Sequence, residues 1–155
     1  MGARMWIVEG NFDDPDVRGL LHAHVSRARA ETGRGSAHAL DAGGLKAPGT
    51  RFWTIWDEDR LVGLGALKVI SSEHGEIKSM HTAVDARNKG VGAAMLAHII
   101  AEAGKMGMSR LSLETGAWDY FLPARAFYRR HGFCECAPFA DYRPDPNSIF
   151  MTRIL

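Results

Sequence analysis

The chain has 155 residues, of which 46% are hydrophobic, and its 19 basic and 18 acidic side chains leave a net charge of +1. That length fits one domain over residues 1–155, with enough apolar content for a core that needs no disulfide or metal staple. A charge this close to zero excludes the global field that gathers nucleic acid or an anionic membrane, and neither is expected as a partner.

In chain order, "RMWIVEG" (Arg4–Gly10) reads as a short strand. "DDPDVRGLLHAHVSRARAE" reads as a helix: Asp14 can cap it, Pro15 suits the first turn, and Val17, Leu20, Leu21, His24 and Val25 form its periodic face. Gly33 and Gly35 are expected to end it. A loop follows, with a short helix around Asp41–Lys46. "RFWTIWDEDRLVGLGALKVI" reads as an antiparallel hairpin turning at Asp57–Arg60, and Gly63 and Gly65 in its second strand imply a bend or a close backbone approach. A third strand is expected over Gly75–Val84, a helix from about Val91 to Met106 and a strand over Ser109–Thr115. A short helix in "PARAFYRRHGF", stopped by Gly132, and two closing strands in "FCECAPF" and "SIFMTRIL" complete the set. The strand–turn–helix–strand unit in the middle makes part of the sheet parallel. A mixed α/β sheet with helices on both faces is the architecture implied.

The two cysteines, Cys134 and Cys136, fall on the same side of a strand, which does not favour a mutual disulfide. Two reduced thiols in a cytoplasmic protein are expected. The opening "MGARMWIVEG" has no long apolar run, so neither a signal peptide nor a membrane span is expected. His22 and His24 do not share a helix face, and no metal is expected.

The turn "RNKGVG", Arg87–Gly92, places two glycines and two cations at the start of a helix. Helix N-terminal amides carry partial positive charge, and the absence of Cβ at Gly90 and Gly92 lets an anion approach them. The pattern suits a phosphate cradle; a tight strand-to-helix turn with solvated charges explains the glycines equally well. No G-x-x-x-x-G-K-[ST] run is present, and Met95 stands where a dinucleotide fingerprint needs its third glycine, which disfavours an NAD-type domain.

Three stretches, "EIKSMHTAVDARNKGVGAAML", "LSLET" and "ARAFYRRHGF", together with the ending "SIFMTRIL", resemble in order the conserved segments of the GNAT acetyltransferase superfamily. The resemblance covers most of the chain. It implies a mostly antiparallel sheet of six to seven strands that splays into a V, with acetyl-CoA as co-substrate. The pyrophosphate would lie on the amides of Asn88, Lys89, Gly90, Val91, Gly92 and Ala93, beside Arg87. The pantetheine arm would run along Met80, His81 and Thr82, where a backbone N–H near Met80 can polarise the thioester carbonyl. Asn88 stands where glycine is frequent, and Phe121 stands where many members carry an asparagine, which removes one polar contact to the cofactor.

The reaction so implied is direct attack of a primary amine on acetyl-CoA. Tyr128 occupies the position of the general acid toward the sulfur, and Glu76 that of an acidic residue able to take the amine's proton; His81 and Glu114 are secondary bases. Regular strand alternation sets Glu76 and Met80 on one side and His81 on the other, unless a bulge intervenes. His38, Trp118, Tyr142 and Arg143 are the candidates for the acceptor pocket, in a loop-rich setting suited to a small polar amine. The remaining tryptophans count as core by default. A homodimer is allowed for. A silent acyl-CoA-binding module and a protein or peptide N-acetyltransferase are the rival functions.

Overall fold

The computed structural model describes residues 4–31 and 42–155. Strands β1 (Met5–Glu9), β2 (Thr50–Asp57), β3 (Arg60–Val69), β4 (His74–Thr82), β5 (Arg110–Gly116), β6 (Cys134–Cys136) and β7 (Ser148–Ile154) form one sheet in the order β1-β2-β3-β4-β5-β7-β6. The β4–β5 pair is parallel and the other pairs are antiparallel. Helices α1 (Pro15–Glu31) and α2 (Ala42–Leu45) cover one face, α3 (Val91–Lys105) and α4 (Leu122–Arg130) the other.

Local chemistry explains the element ends. The Asp14 carboxylate accepts the Asp16 amide at 2.8 Å, and Pro15 opens α1 with its φ already helical. Gly132, at φ +89°, turns the chain out of α4, and the Phe133 amide returns to the Tyr128 carbonyl at 3.0 Å. Val17, Leu21 and Val25 of α1 pack on Phe52, Leu64 and Ala66. Met95, Leu96, Ile99 and Ala103 of α3 pack on Leu67, Leu111, Leu113 and Met151. Each large apolar side chain so buried contributes about 2 kcal/mol.

The glycines of β3 mark close approach. A Cβ at Gly65 would meet Met95 Cγ at 2.6 Å, and one at Gly63 would meet Val91 Cγ1 at 2.9 Å. Their bareness brings the first turns of α3 down onto the sheet. Strand β4 stops at Thr82, short of the expected Val84, because Val84–Ala86 form a 3-10 turn, and a second such turn covers Asp119–Phe121. Trp53 is buried, but Trp6 is 46% exposed, contrary to its default placement in the core.

A bulge in β4 corrects the regular alternation. His81 pairs with Leu64 and Lys78 with Ala66, so Ser79 and Met80 together face Gly65. Ser79 takes φ +56°, a left-handed conformation. The extra residue returns His81 to the face that carries Glu76 and Lys78, the α1 face, while Met80 packs against the α3 cluster.

Candidate functional site

Two departures from regular structure define the site. First, β4 pairs with β5 only at His74–Arg110, Gly75–Leu111 and Glu76–Ser112; beyond Glu76 the strands part. Glu76 therefore stands at the vertex of a V. Second, α3 begins with no side chain capping it: its N-cap is Gly90, at φ +83°, preceded by Asn88 at φ +62°. Both residues take left-handed conformations that glycine and asparagine tolerate best. The first-turn amides have no partner within the helix and open outward with the positive end of its dipole.

A groove of about 900 Å³ joins these features. Met80, His81 and Thr82 form its β4 wall, and Arg87, Asn88, Gly90, Val91, Gly92 and Ala93 form its end at the head of α3. Lys89 is exposed and is not a wall residue. The opposite wall comes from Tyr120, Phe121, Pro123, Ala124, Phe127, Arg130 and His131, and the rim from His24 and Arg27 of α1. This second wall was not legible as such in the sequence. One signal existed: Gly116, where a Cβ would fall 2.1 Å from Phe121 Cδ2, makes room for the phenylalanine that replaces the familiar asparagine. Arg27, Arg87 and Arg130 give the groove a cationic lining.

His24 and His81 meet across the rim with ring centroids 4.9 Å apart. Both pKa values are lowered to about 4, chiefly by burial; the charge of His81 lowers His24 further, and that of Arg87 lowers His81. Both imidazoles are therefore neutral near pH 7.

On the α1 face of the V lies a buried polar cluster. The Tyr142 hydroxyl donates to Glu76 Oε2 at 2.5 Å. Lys78 Nζ donates to the Tyr142 oxygen at 3.0 Å and lies 3.4 Å from the same Glu76 oxygen. Ser148 donates to Glu114 Oε2 at 2.6 Å. The Tyr142 phenol is pushed well above its ordinary pKa by burial first, then by the charge and hydrogen bond of Glu76 and the charge of Glu114. Tyr128, also expected at the reacting centre, is 7% exposed and packs between Phe127 and Phe133, with centroids 5.2 and 5.6 Å away. Burial pushes its phenol above the ordinary range. It is not among the residues that line the groove.

Trp118 is 43% exposed, and its carbonyl accepts Arg125 Nη1 at 3.3 Å; it is not a groove residue. Arg143 is exposed on the β6–β7 loop. His38 lies outside the described residues. Among the described residues, no group of three or more His, Cys, Asp or Glu is arranged to hold a metal ion, and no helix is long and apolar enough to cross a membrane.

A sheet that parts beside an uncapped helix head is what the GNAT resemblance implies, and comparison with known proteins shows the family. The acetyltransferase (GNAT) family model matches residues 19–133. The chain is 48% identical over 139 residues to an uncharacterised N-acetyltransferase, YsnE, of Bacillus subtilis, covering 90% of this chain and 92% of that one. It is 38% identical over 121 residues to the IAA acetyltransferase of Azospirillum brasilense, covering 77% and 78%. Among solved structures, a putative acyl-CoA N-acyltransferase from Klebsiella pneumoniae superposes with a TM-score of 0.82 at 27% identity, covering 99% of both chains. The chain belongs to the acetyltransferase (GNAT) family and is an acyl-CoA-dependent N-acetyltransferase.

Proposed function

We propose that this enzyme moves the acetyl group of acetyl-CoA to a primary amine of a small molecule by direct attack. The observation that carries the reading is the parting of β4 from β5 after Glu76, together with a groove that runs from the open head of α3 along Met80–Thr82 of the parted strand. The diphosphate of the cofactor binds the amides from Asn88 to Ala93, with Arg87 beside them. The pantetheine arm adds to β4 along Met80–Thr82, in the place β5 has vacated. The thioester then reaches the bulge, where the Met80 amide polarises its carbonyl.

The amine nitrogen attacks the carbonyl carbon, the C–S bond breaks, and the sulfur leaves with the bonding pair. Glu76, at the vertex, takes the proton the amine must lose. Tyr128 stays a phenol throughout, because its dry surroundings disfavour the phenolate. A thiol is a stronger acid than such a phenol, so Tyr128 serves as a hydrogen-bond donor to the departing thiolate. A small acceptor is supported by the relative named IAA acetyltransferase. A cytoplasmic setting is supported by the free thiols Cys134 and Cys136.

The test is release of free thiol from acetyl-CoA across a panel of primary amines: polyamines, arylethylamines, amino acids and aminoglycosides. Turnover is expected with at least one, falling roughly 100-fold in Tyr128→Phe and in Glu76→Gln. A wild-type enzyme that consumes none of them while coenzyme A still raises its melting temperature would refute the reading.

A further inference from the structure

We propose that Tyr142 and Lys78 are positioning residues for Glu76: together they fix one carboxylate oxygen, so that the other receives the acceptor's proton. The inference deepens the proposed reaction and rests on Glu76 being its base. It gives Tyr142 a duty other than the acceptor contact expected from the sequence, and gives one to Lys78, which the sequence left without any.

The proton inventory orders the three groups. An ammonium donates only, a carboxylate accepts only, and a phenol has a single proton to give. Lys78 Nζ lies 3.0 Å from the Tyr142 oxygen, which lies 2.5 Å from Glu76 Oε2. The lysine must therefore donate to the phenol and the phenol to the carboxylate. Lys78 also approaches Oε2 directly, at 3.4 Å. Both described donors thus converge on one oxygen of Glu76. The Glu76 and Lys78 side chains are only 3% and 9% exposed, so water does little to loosen the arrangement.

Tyr142 reaches Glu76 from the loop between β6 and β7, 66 residues away in sequence. Its ring is held there by Phe139 and Phe150, with centroids 5.1 and 5.4 Å distant, and by the Lys78 ammonium 5.7 Å from its centroid. Among the described residues, four other charged or titratable groups stand near the carboxylate. His74 of β4 feels the Glu76 charge but is kept mainly neutral by burial, Glu114 of β5 accepts Ser148, and Lys68 stands opposite Glu76 on β3. Arg110 of β5 acts on His74. The phenol, raised by burial and by Glu76, stays a donor over the whole working range. A carboxylate pinned at one oxygen loses the rotation that would swing it from its proton.

The experiment joins a spectroscopic and a kinetic readout. With tyrosine labelled at 13Cζ, the chain gives three signals, and Tyr142→Phe identifies one of them. In the wild type that signal is expected to stay un-ionised where free tyrosine is half-ionised, and to titrate at lower pH in Glu76→Gln. With acetyl-CoA and the panel amine that the wild type consumes fastest, Tyr142→Phe and Lys78→Met should lower kcat roughly 10- to 100-fold. KM for acetyl-CoA should stay within about twofold, since neither residue borders the cofactor groove. Lys78→Arg, which keeps the charge and the donors, should recover most of the rate and controls for a folding defect. A Tyr142 titration indifferent to Glu76→Gln overturns the proposal, as does wild-type kcat in Tyr142→Phe. Failure of the wild type to consume any amine is a different result: it refutes the underlying reaction and the positioning role with it.

Discussion

Acid should weaken this protein through two histidines, and the loss can be worked out in advance. His24 and His81 have an ordinary pKa of 6.5 in the unfolded chain and about 4 in the folded one. The folded values are depressed, so as pH falls below 6.5 the unfolded state binds protons that the native state refuses, and stability drops until about pH 4. A gap of about 2.5 pH units, at about 1.4 kcal/mol each, sets a ceiling of about 3.5 kcal/mol per imidazole. By pH 5 each has cost about 2 kcal/mol, less for the more exposed His81 through solvent screening, so the pair costs about 3 kcal/mol. Urea unfolding at pH 7.5, 6 and 5 reads this directly. The wild type should lose about 3 kcal/mol over that range, and the double variant His24→Gln/His81→Gln should lose little. A shallow slope survives in the variant because His74 and His98 are also lowered by burial. If wild type and variant lose the same amount, the two imidazoles are not buried as neutral rings at the rim.

Other perturbations separate packing from binding. Gly65→Ala would drive a Cβ to 2.6 Å from Met95 Cγ and should destabilise the fold by about 1–3 kcal/mol in urea melts. Arg87→Ala should weaken coenzyme A binding roughly tenfold by calorimetry, more at low ionic strength than at high, with little change in melting temperature of the unliganded protein. Unchanged affinity would take the arginine out of the diphosphate site.

The parts legible in the sequence were those fixed by local rules. The α1 cap at Asp14, the apolar period of α3 and the glycine exit of α4 each follow from a few neighbouring residues, and the elements fall where those rules put them. The turn ahead of α3 was legible for the same reason, because Asn88 and Gly90 mark left-handed backbone one turn before an apolar helix. What escaped was long-range. The second groove wall depends on α4 lying across the sheet from α1, a relation no local pattern encodes. Tyr142 reaches Glu76 only because β7 crosses between β5 and β6 and carries its preceding loop over the V. The side on which His81 falls was undecidable without knowing whether β4 holds a bulge, since one inserted residue reverses everything beyond it.

That bulge separates what the fold needs from what the reaction needs. Ser79 and Met80 stand together opposite Gly65, and the register on either side is regular, with Lys78 on Ala66 and His81 on Leu64. Deleting Ser79 would therefore restore one-to-one pairing, Met80 on Gly65, and leave both flanking pairs and both faces as they are. The deletion also removes a non-glycine residue at φ +56°, a strain of about 1 kcal/mol. It removes as well a buried hydroxyl that has no hydrogen-bond partner among the described residues. Stability should hold or rise, read as an unchanged or higher melting temperature. On the proposed mechanism turnover should nevertheless collapse, because a straightened β4 would no longer turn the Met80 amide toward the thioester carbonyl; loss of one such donor costs about 100-fold or more. A deletion variant that melts like the wild type and acetylates as fast would show that the irregularity in β4 serves packing alone, and the proposed seat of the thioester would have to lie elsewhere in the groove.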